Sequence, residues 1–561
     1  VSPAAPAPGA SGGPGARAGD GGFAAAKAER RARRDAWTQR FERSPAALLL
    51  ALLLVLGGAT PYFEATRNAN ELPRVLQAVA VLDHGRLDVG DVLGQSPGPD
   101  VSRSPKDGRV YPNKPPGATV AAIAGVVTAR AVGAAFERPV TLRDATLWAR
   151  GFGALLPTLL LAWLLAVRVG ASVGWFPAAT ATAIWALATP ANAYAHVLYG
   201  HALTAWLLAQ GMAWIVDALD DERPTLAVWG GFAAACAVTV EYLAVFAAVP
   251  IAALLLVRAR TYGRWGTLAR ALAGAAVPIA ALAAYHHVTF GAPWATGYHH
   301  AATASFAAKH AEGFVLGLGL PSAARAWSTW LAPASGLLWW VPLLPVALYG
   351  LVLAATDRGH GLRTDARLWL GWFVVLALLV TSLSFEGGWR VGPRYVVPAL
   401  PALVPGLALV IAHTRAKLAW VVGLASLAVY QAFVNGMAGA LWPHIDVDAV
   451  HSPVAELLLP LWWEGRPVHG LVGAVGLPDP AWFVVLLGVA LVLWLWGRAI
   501  EPRLELTVGL VAAFAAGFAL VQVPRLVAPH PRGEANLRYV RSVWEPRDDG
   551  TAHSAALGPP R

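Results

Sequence analysis

The residues able to carry chemistry in this chain sit in short polar interruptions of a strongly apolar sequence. The first reads Asn70-Glu71-Leu72-Pro73-Arg74, and after Asp83-His84-Gly85 comes Asp107-Gly108-Arg109-Val110-Tyr111-Pro112-Asn113-Lys114-Pro115-Pro116-Gly117. Further on stand Arg150-Gly151-Phe152-Gly153, an isolated Glu241-Tyr242, and Gly387-Gly388-Trp389-Arg390-Val391-Gly392-Pro393-Arg394-Tyr395. A carboxylate at a membrane surface can take a proton from an attacking hydroxyl or amine, which makes Glu71 the first candidate for a general base and Glu241 the next. Negative charge that builds on a phosphate leaving group is held by cations, and a guanidinium stays charged and donates two parallel bonds to phosphate oxygens. Arg150, Arg394 and Lys114 are the residues of that kind.

Each of these has a plainer explanation. Glu71 can be the first-turn acid of a loop helix, facing the helix dipole and Arg74 three residues on. Arg150 and Arg394 can be flanking residues that hold spans at the interface. His196, His201, His286, His287, His299 and His300 invite a metal site, but none has the HExxH spacing, so they are expected to be interfacial histidines and no metal or other cofactor is expected. The single cysteine, Cys236, excludes an internal disulfide and any multi-cysteine metal centre.

These loops must be positioned by membrane helices. Of the 561 residues 57% are hydrophobic and 14% charged, with mean hydropathy +0.52, a balance that calls for lipid as solvent. Apolar stretches recur from Pro45 to Arg525, each long enough to cross a hydrocarbon core of about 30 Å as a helix. The 43 Lys and Arg against 33 Asp and Glu are spread through the connections, which is the positive-inside pattern and argues against a nucleic-acid partner. Residues 1–26 are Ala/Gly/Pro-rich and carry no short apolar core with a cleavage site. Lys27, Arg30, Arg31, Arg33, Arg34, Arg40 and Arg43 then precede the first apolar run, so residues 1–44 are expected to be a disordered, basic, cytoplasmic N-terminus.

Spans are expected near 45–62, 148–168, 175–194, 199–217, 268–289, 329–355, 367–385, 394–412, 417–438, 479–497 and 505–523. The apolar run 225–257 contains Glu241 near its middle; as one helix it would be about 50 Å long with a carboxylate at its centre, so two short helices turning near Glu241 are expected instead. The segment 118–135 is then a helix that dips in and returns outside. The resulting expectation is an all-α polytopic membrane protein, a bundle of about 11–13 transmembrane helices with a helical first external loop. Glu71, Lys114, Glu241 and Arg394 fall on one face, the external one.

The order of these elements resembles the GT-C superfamily of glycosyltransferases, in particular the family 39-like enzymes related to protein O-mannosyltransferases and lipid A aminoarabinose transferases. In those families an acidic residue shortly before an Arg opens a juxtamembrane helix, and a G-x-x-Y-x-x-K-x-P element follows; Glu71 and Arg74, then Tyr111 and Lys114, stand in those places. Relatives usually carry Asp where this chain has Glu71. Arg150-Gly151-Phe152-Gly153, Glu241-Tyr242, Phe290-Gly291-Ala292-Pro293 with Gly297-Tyr298, and Gly387 to Tyr395 continue the resemblance over residues 60–400.

The resemblance implies a GT-C-like catalytic module at 45–412, additional helices at 413–525 and a polar tail at 526–561. It implies inverting, metal-independent transfer of a sugar from a polyprenyl-phosphate carrier to a glycan, lipid or protein acceptor, on the external face of the inner membrane of the cell envelope. Glu71 would be catalytic, with Arg74, Tyr111, Lys114, Arg150, Glu241, Tyr242, Trp389, Arg394 and Tyr395 binding substrate. A secondary transporter or lipid flippase is the alternative, and would show paired charges inside the spans and broken helices in corresponding halves of the chain, whereas the ionisable residues cluster at one face and no two-fold repeat is apparent.

Overall fold

The computed structural model describes residues 44–62, 69–221, 223–311, 317–465, 481–543 and 556–557; the expected cytoplasmic N-terminus lies outside them, apart from Ser44. Among the described residues ten helices are long and apolar enough to cross a membrane, and four shorter apolar helices, Pro45–Ala59, Leu226–Val240, Leu344–Thr356 and Val454–Trp463, accompany them. The strands among those residues form two short antiparallel ladders, Val101–Arg103 with Val110–Pro112 and Val140–Thr141 with Ala556–Leu557.

Glu241 breaks the run 225–257 as expected. The helix Leu226–Val240 ends at Glu241, whose backbone is extended (φ −141°, ψ 118°), and a 3-10 turn, Tyr242–Ala247, leads into Ala248–Tyr262. The two limbs reverse direction, since Arg258 near the end of the second reaches Asp220 just before the first, at 3.3 Å. Trp265–Phe290 then returns parallel to the first limb, with Gly274 against Val228 and His286 against Tyr242. A Cβ at Gly274 would lie 1.9 Å from the Val228 carbonyl oxygen, so this approach of two backbones requires glycine.

Two expected spans are interrupted. The stretch 175–194 is helical over Trp175–Leu187 and Ala191–Tyr194, with the break before Pro190, and 329–355 splits into Leu337–Trp340 and Leu344–Thr356. Pro190, Pro342 and Pro345 lack the N–H that a continuous helix needs. The backbone freed at these breaks is buried, where each unpaired group costs free energy, and the long helix Leu418–Leu441 satisfies it. Gln431 Nε2 donates to the Ala188 carbonyl at 2.9 Å and its Oε1 accepts from Leu343 N at 2.8 Å. Asn435 Nδ2 donates to the carbonyls of Ala188 and Trp340 at 3.2 and 2.9 Å. Both side chains are fully buried.

The segment Gly117–Ala135 qualifies as a span by length and composition, yet its buried Ala122, Val126 and Ala129 do not belong to the bundle core. They share a separate apolar cluster with Val75, Leu76 and Val79 of the loop helix Leu72–His84 and with Ala145 and Ala149 of Leu142–Arg150. The last of these starts at a capping box, Thr141 with Asp144, and runs through a π-helical turn, Gly151–Leu155, into the bundle helix Leu156–Val173. At the far end of that helix Arg168 bridges Asp217 at 2.8 Å and Asp365 at 2.6 Å, tying three helices together. That clamp and the Arg258–Asp220 pair lie at the end of the bundle opposite Glu241.

Candidate active site

Glu71 precedes the helix Leu72–His84, which Pro73 helps to start, but its side chain caps nothing there. It turns instead to Arg150: Nε donates to Oε1 and Nη2 to Oε2, both at 2.8 Å. Leu198 N adds a third bond to Oε1 at 2.6 Å. The pair is closed off from solvent, with side-chain exposures of 0% for Glu71 and 4% for Arg150. Burial alone would raise the Glu71 pKa, but the charge and hydrogen bonds of Arg150 prevail and hold it below its usual value of 4.5. Arg150 Nη1 also donates to the Pro61 carbonyl at 2.8 Å, so each of its three guanidinium nitrogens is engaged in joining the loop to the bundle. Neither of the plainer readings, a dipole-facing acid or an interfacial anchor, describes this pair.

Arg74 is also buried, and Nη1 donates to the Leu198 carbonyl at 2.5 Å. Its Nε and Nη2 have no hydrogen-bond partner among the described residues. The backbone at Leu198 therefore joins Glu71 through its N–H to Arg74 through its carbonyl.

Beside this network lies a small cavity of about 30 Å³ lined in part by Glu241, Tyr242, Tyr298, His310 and Tyr395. Lys114 donates to Tyr298 Oη at 2.8 Å and lies 4.5 Å from the centre of that ring. Arg394 Nη2 donates to Tyr395 Oη at 3.1 Å, with the guanidinium 5.6 Å from the Tyr199 ring centre. Both cations are more than nine-tenths buried, so Arg394 turns inward rather than reaching out to the interface. Gly387 makes room for it, having φ +95° and a Cβ position only 2.3 Å from Arg394 Nε. Each phenol oxygen accepts from a cation and keeps its own proton to donate, and a hydroxyl polarised in this way is a stronger donor. Burial raises the Tyr298 pKa to about 12, so it stays protonated. His310 stacks on Tyr298 at 4.2 Å, and burial together with the Lys114 charge lowers its pKa to about 4.

Glu241 differs from Glu71 in its surroundings. It is buried and lines the cavity, but its carboxylate accepts no hydrogen bond among those of the described residues, and its one ionic contact there is His201 Nδ1 at 3.7 Å. Arg74, Lys114 and Arg394 are the positive charges it feels. Tyr242 donates to or accepts from His286 Nε2 at 2.8 Å.

Of the residues singled out in the sequence, Glu241, Tyr242 and Tyr395 line the cavity, Lys114 and Arg394 join it through their bonds to Tyr298 and Tyr395, and Arg74, Glu71 and Arg150 form the separate network around the Leu198 peptide. Tyr111 and Trp389 do not line the cavity. Tyr111 donates to Asp107 Oδ2 at 3.3 Å and packs edge-on against Phe290, while Trp389 packs edge-on against Tyr539 of the tail helix Gly533–Val543. Tyr298, His310 and the Leu198 peptide were not singled out as site residues, and His201 was weighed only as a metal ligand. Tyr298 stood in a motif that the resemblance included; the others have no local signature, because only the fold brings them to the carboxylates.

No family model matches this chain, and no curated protein does. Among solved structures it is similar to ArnT from Cupriavidus metallidurans in the apo state, at 16% identity and a TM-score of 0.48, over 88% of this chain and 77% of that one. The same protein bound to undecaprenyl phosphate matches at 15% identity and a TM-score of 0.44, over 88% and 76%. Arabinosyltransferase EmbB from Mycobacterium smegmatis matches at 16% identity and a TM-score of 0.42, over 88% of this chain and 42% of that one.

Proposed function

We propose that this protein is a membrane glycosyltransferase that moves a sugar from a polyprenyl-phosphate carrier to an acceptor on the external face. The observation that carries this reading is the inward turn of Lys114 and Arg394 onto Tyr298 and Tyr395 at one cavity beside a carboxylate. Two cations buried beside a cavity are costly unless an anion arrives to share their charge, and two polarised phenols add donors of the kind that bind phosphate oxygens. A departing prenyl phosphate supplies that anion, and the stabilisation grows as its charge develops. Arg74, whose Nε and Nη2 are unengaged among the described residues, is a further cation for the same task. The present cavity holds a water or a hydroxyl but not a sugar ring, so substrate entry requires side chains around it to move.

Glu71 stands where the motif resemblance puts a catalytic carboxylate. With both oxygens held by Arg150 and Leu198 N, its role in this reading is to fix Arg150 and the Leu198 peptide, which in turn orients Arg74.

Purified protein is to be incubated with synthetic farnesyl-phosphate-linked sugars and an envelope lipid and glycan extract, following release of farnesyl phosphate. Release that depends on the extract, with sugar recovered on an extract component, is the expected result. Binding of farnesyl phosphate, measured by native mass spectrometry, should fall at least tenfold in Lys114→Met. If the wild type neither binds farnesyl phosphate nor releases it from any donor, the reading is wrong.

A further inference from the structure

We propose that Glu241, rather than Glu71, takes the proton from the attacking hydroxyl, which is held between Glu241 and Arg74; this rests on the transfer reaction proposed above. Two features of the site are complementary and unfilled. Arg74 is a buried guanidinium with Nε and Nη2 aimed at no acceptor among the described residues, and Glu241 is a buried carboxylate that accepts from no donor among them. Each is the foremost opposite charge acting on the other, yet no hydrogen bond or ion pair joins them. Groups of this kind left apart in a protein interior need a polar guest between them or beside them. A hydroxyl is the smallest such guest, since it donates to the carboxylate and accepts from the guanidinium at once.

The placement of Glu241 has its own cause. It ends one limb of a membrane hairpin in extended backbone, which directs its side chain away from the helix axis and towards the 198–201 segment. A Cβ on Gly200 would lie 3.0 Å from Glu241 Oε1, so the glycine leaves the carboxylate its place. A buried carboxylate at the turn of a membrane hairpin, without an arginine or lysine bonded to it, points to a functional role. Glu71, by contrast, has donors on both oxygens and no exposure.

The step balances as follows. The acceptor oxygen forms a bond to the anomeric carbon while the bond from that carbon to the phosphate oxygen breaks, its electron pair leaving with prenyl phosphate. The hydroxyl proton passes to Glu241, which becomes a neutral acid and later returns the proton to water. Lys114 and Arg394, through Tyr298 and Tyr395, face the phosphate side of this displacement.

The test compares Glu241→Gln, Glu241→Asp and Glu71→Gln with wild type in two assays, farnesyl phosphate binding by native mass spectrometry and release of farnesyl phosphate from the synthetic donors. General-base catalysis contributes about a hundredfold or more. Glu241→Gln should therefore lower turnover at least a hundredfold while binding of farnesyl phosphate changes less than threefold, and the acid limb of the pH–rate profile should disappear from what activity remains. Glu241→Asp should keep that limb at reduced turnover, which covers the case in which the glutamine variant does not fold. Turnover of Glu241→Gln within tenfold of wild type, or of a misfolding Glu241→Gln paired with a fully active Glu241→Asp, overturns the proposal while the transfer reading stands. So does a folded Glu71→Gln that loses turnover with Glu241→Gln unaffected. Failure of the wild type itself to bind or release farnesyl phosphate defeats the transfer reading and this proposal with it.

Discussion

Replacing Glu71 by Gln removes the counter-charge of a guanidinium that is 4% exposed, while leaving size and shape nearly unchanged. Arg150 would keep its bond to the Pro61 carbonyl, but one of its two N–H groups on Glu71 would meet an amide nitrogen in place of an acceptor. Breaking one side of a buried ion pair costs about 3–5 kcal/mol, which shifts an unfolding equilibrium by roughly two to three and a half powers of ten. Equilibrium unfolding in mixed detergent micelles, followed by circular dichroism, is the assay. A double variant, Glu71→Leu with Arg150→Met, should recover part of the loss, since an apolar pair of similar volume carries no desolvation cost. It should not recover all, because Leu198 N and the Pro61 carbonyl would lose their partners, at about 1–3 kcal/mol each. The pH dependence follows from the direction of the shift. The Glu71 pKa is depressed in the folded protein, so the pair's contribution is complete above the unfolded value of 4.5 and is lost as pH falls through the lower folded one. Stability attributable to this group should therefore be level above pH 5 and decline only in stronger acid. A Glu71→Gln protein within about 1 kcal/mol of wild type at neutral pH would refute the buried-pair account.

Asn435→Leu should destabilise the protein by about 2–4 kcal/mol, because it uncovers the Trp340 carbonyl and weakens the hold on Ala188 at two helix breaks; the same unfolding assay measures it, and an unchanged midpoint would mean the breaks are satisfied otherwise. Arg394→Lys should lower donor turnover at least tenfold and Arg394→Ala more, since an ammonium cannot both bond Tyr395 and lie over Tyr199 as the planar guanidinium does; full activity of the Lys variant at limiting and saturating donor would reduce Arg394 to an anchor.

The parts of this architecture that could be read from the sequence are those with local causes. The interruption of the apolar run 225–257 follows from the cost of a carboxylate at mid-membrane, and the structure breaks the helix at that residue. The helical loop after Glu71 and the helix after Pro116 follow from proline placement. What escaped was non-local. Nothing near Glu71 names Arg150 as its partner in preference to Arg74, because that choice depends on how the loop helices pack against Leu142–Arg150. Pro190, Pro342 and Pro345 were visible, but proline is tolerated in membrane helices when a neighbour repairs the backbone. Whether it breaks or kinks them depends on Gln431 and Asn435, far along the chain. The separate core under Gly117–Ala135 likewise has no sequence signature, since an apolar helix facing a loop assembly has the composition of one facing lipid.

The two carboxylates are best understood as opposites in hydrogen-bond saturation. A carboxylate with donors on both oxygens is poor at accepting another proton, because protonation would have to displace a guanidinium N–H and leave the buried guanidinium without a counter-charge. Such a group is well suited to hold a loop at a fixed height over a membrane bundle, which is what the Glu71–Arg150 pair does between 71 and 150. A carboxylate with free lone pairs, near cations that do not bond to it, is suited to receive a proton from something that enters. Glu241 meets that description because its place is set from both sides, by a helix that must end at it and by a glycine at 200 that leaves it room. The cations are withheld from it by the tyrosines: Lys114 is engaged with Tyr298 and Arg394 with Tyr395. Phenol in those positions therefore does two things at once, passing positive polarisation towards the cavity and keeping the two cations from closing an ion pair on Glu241.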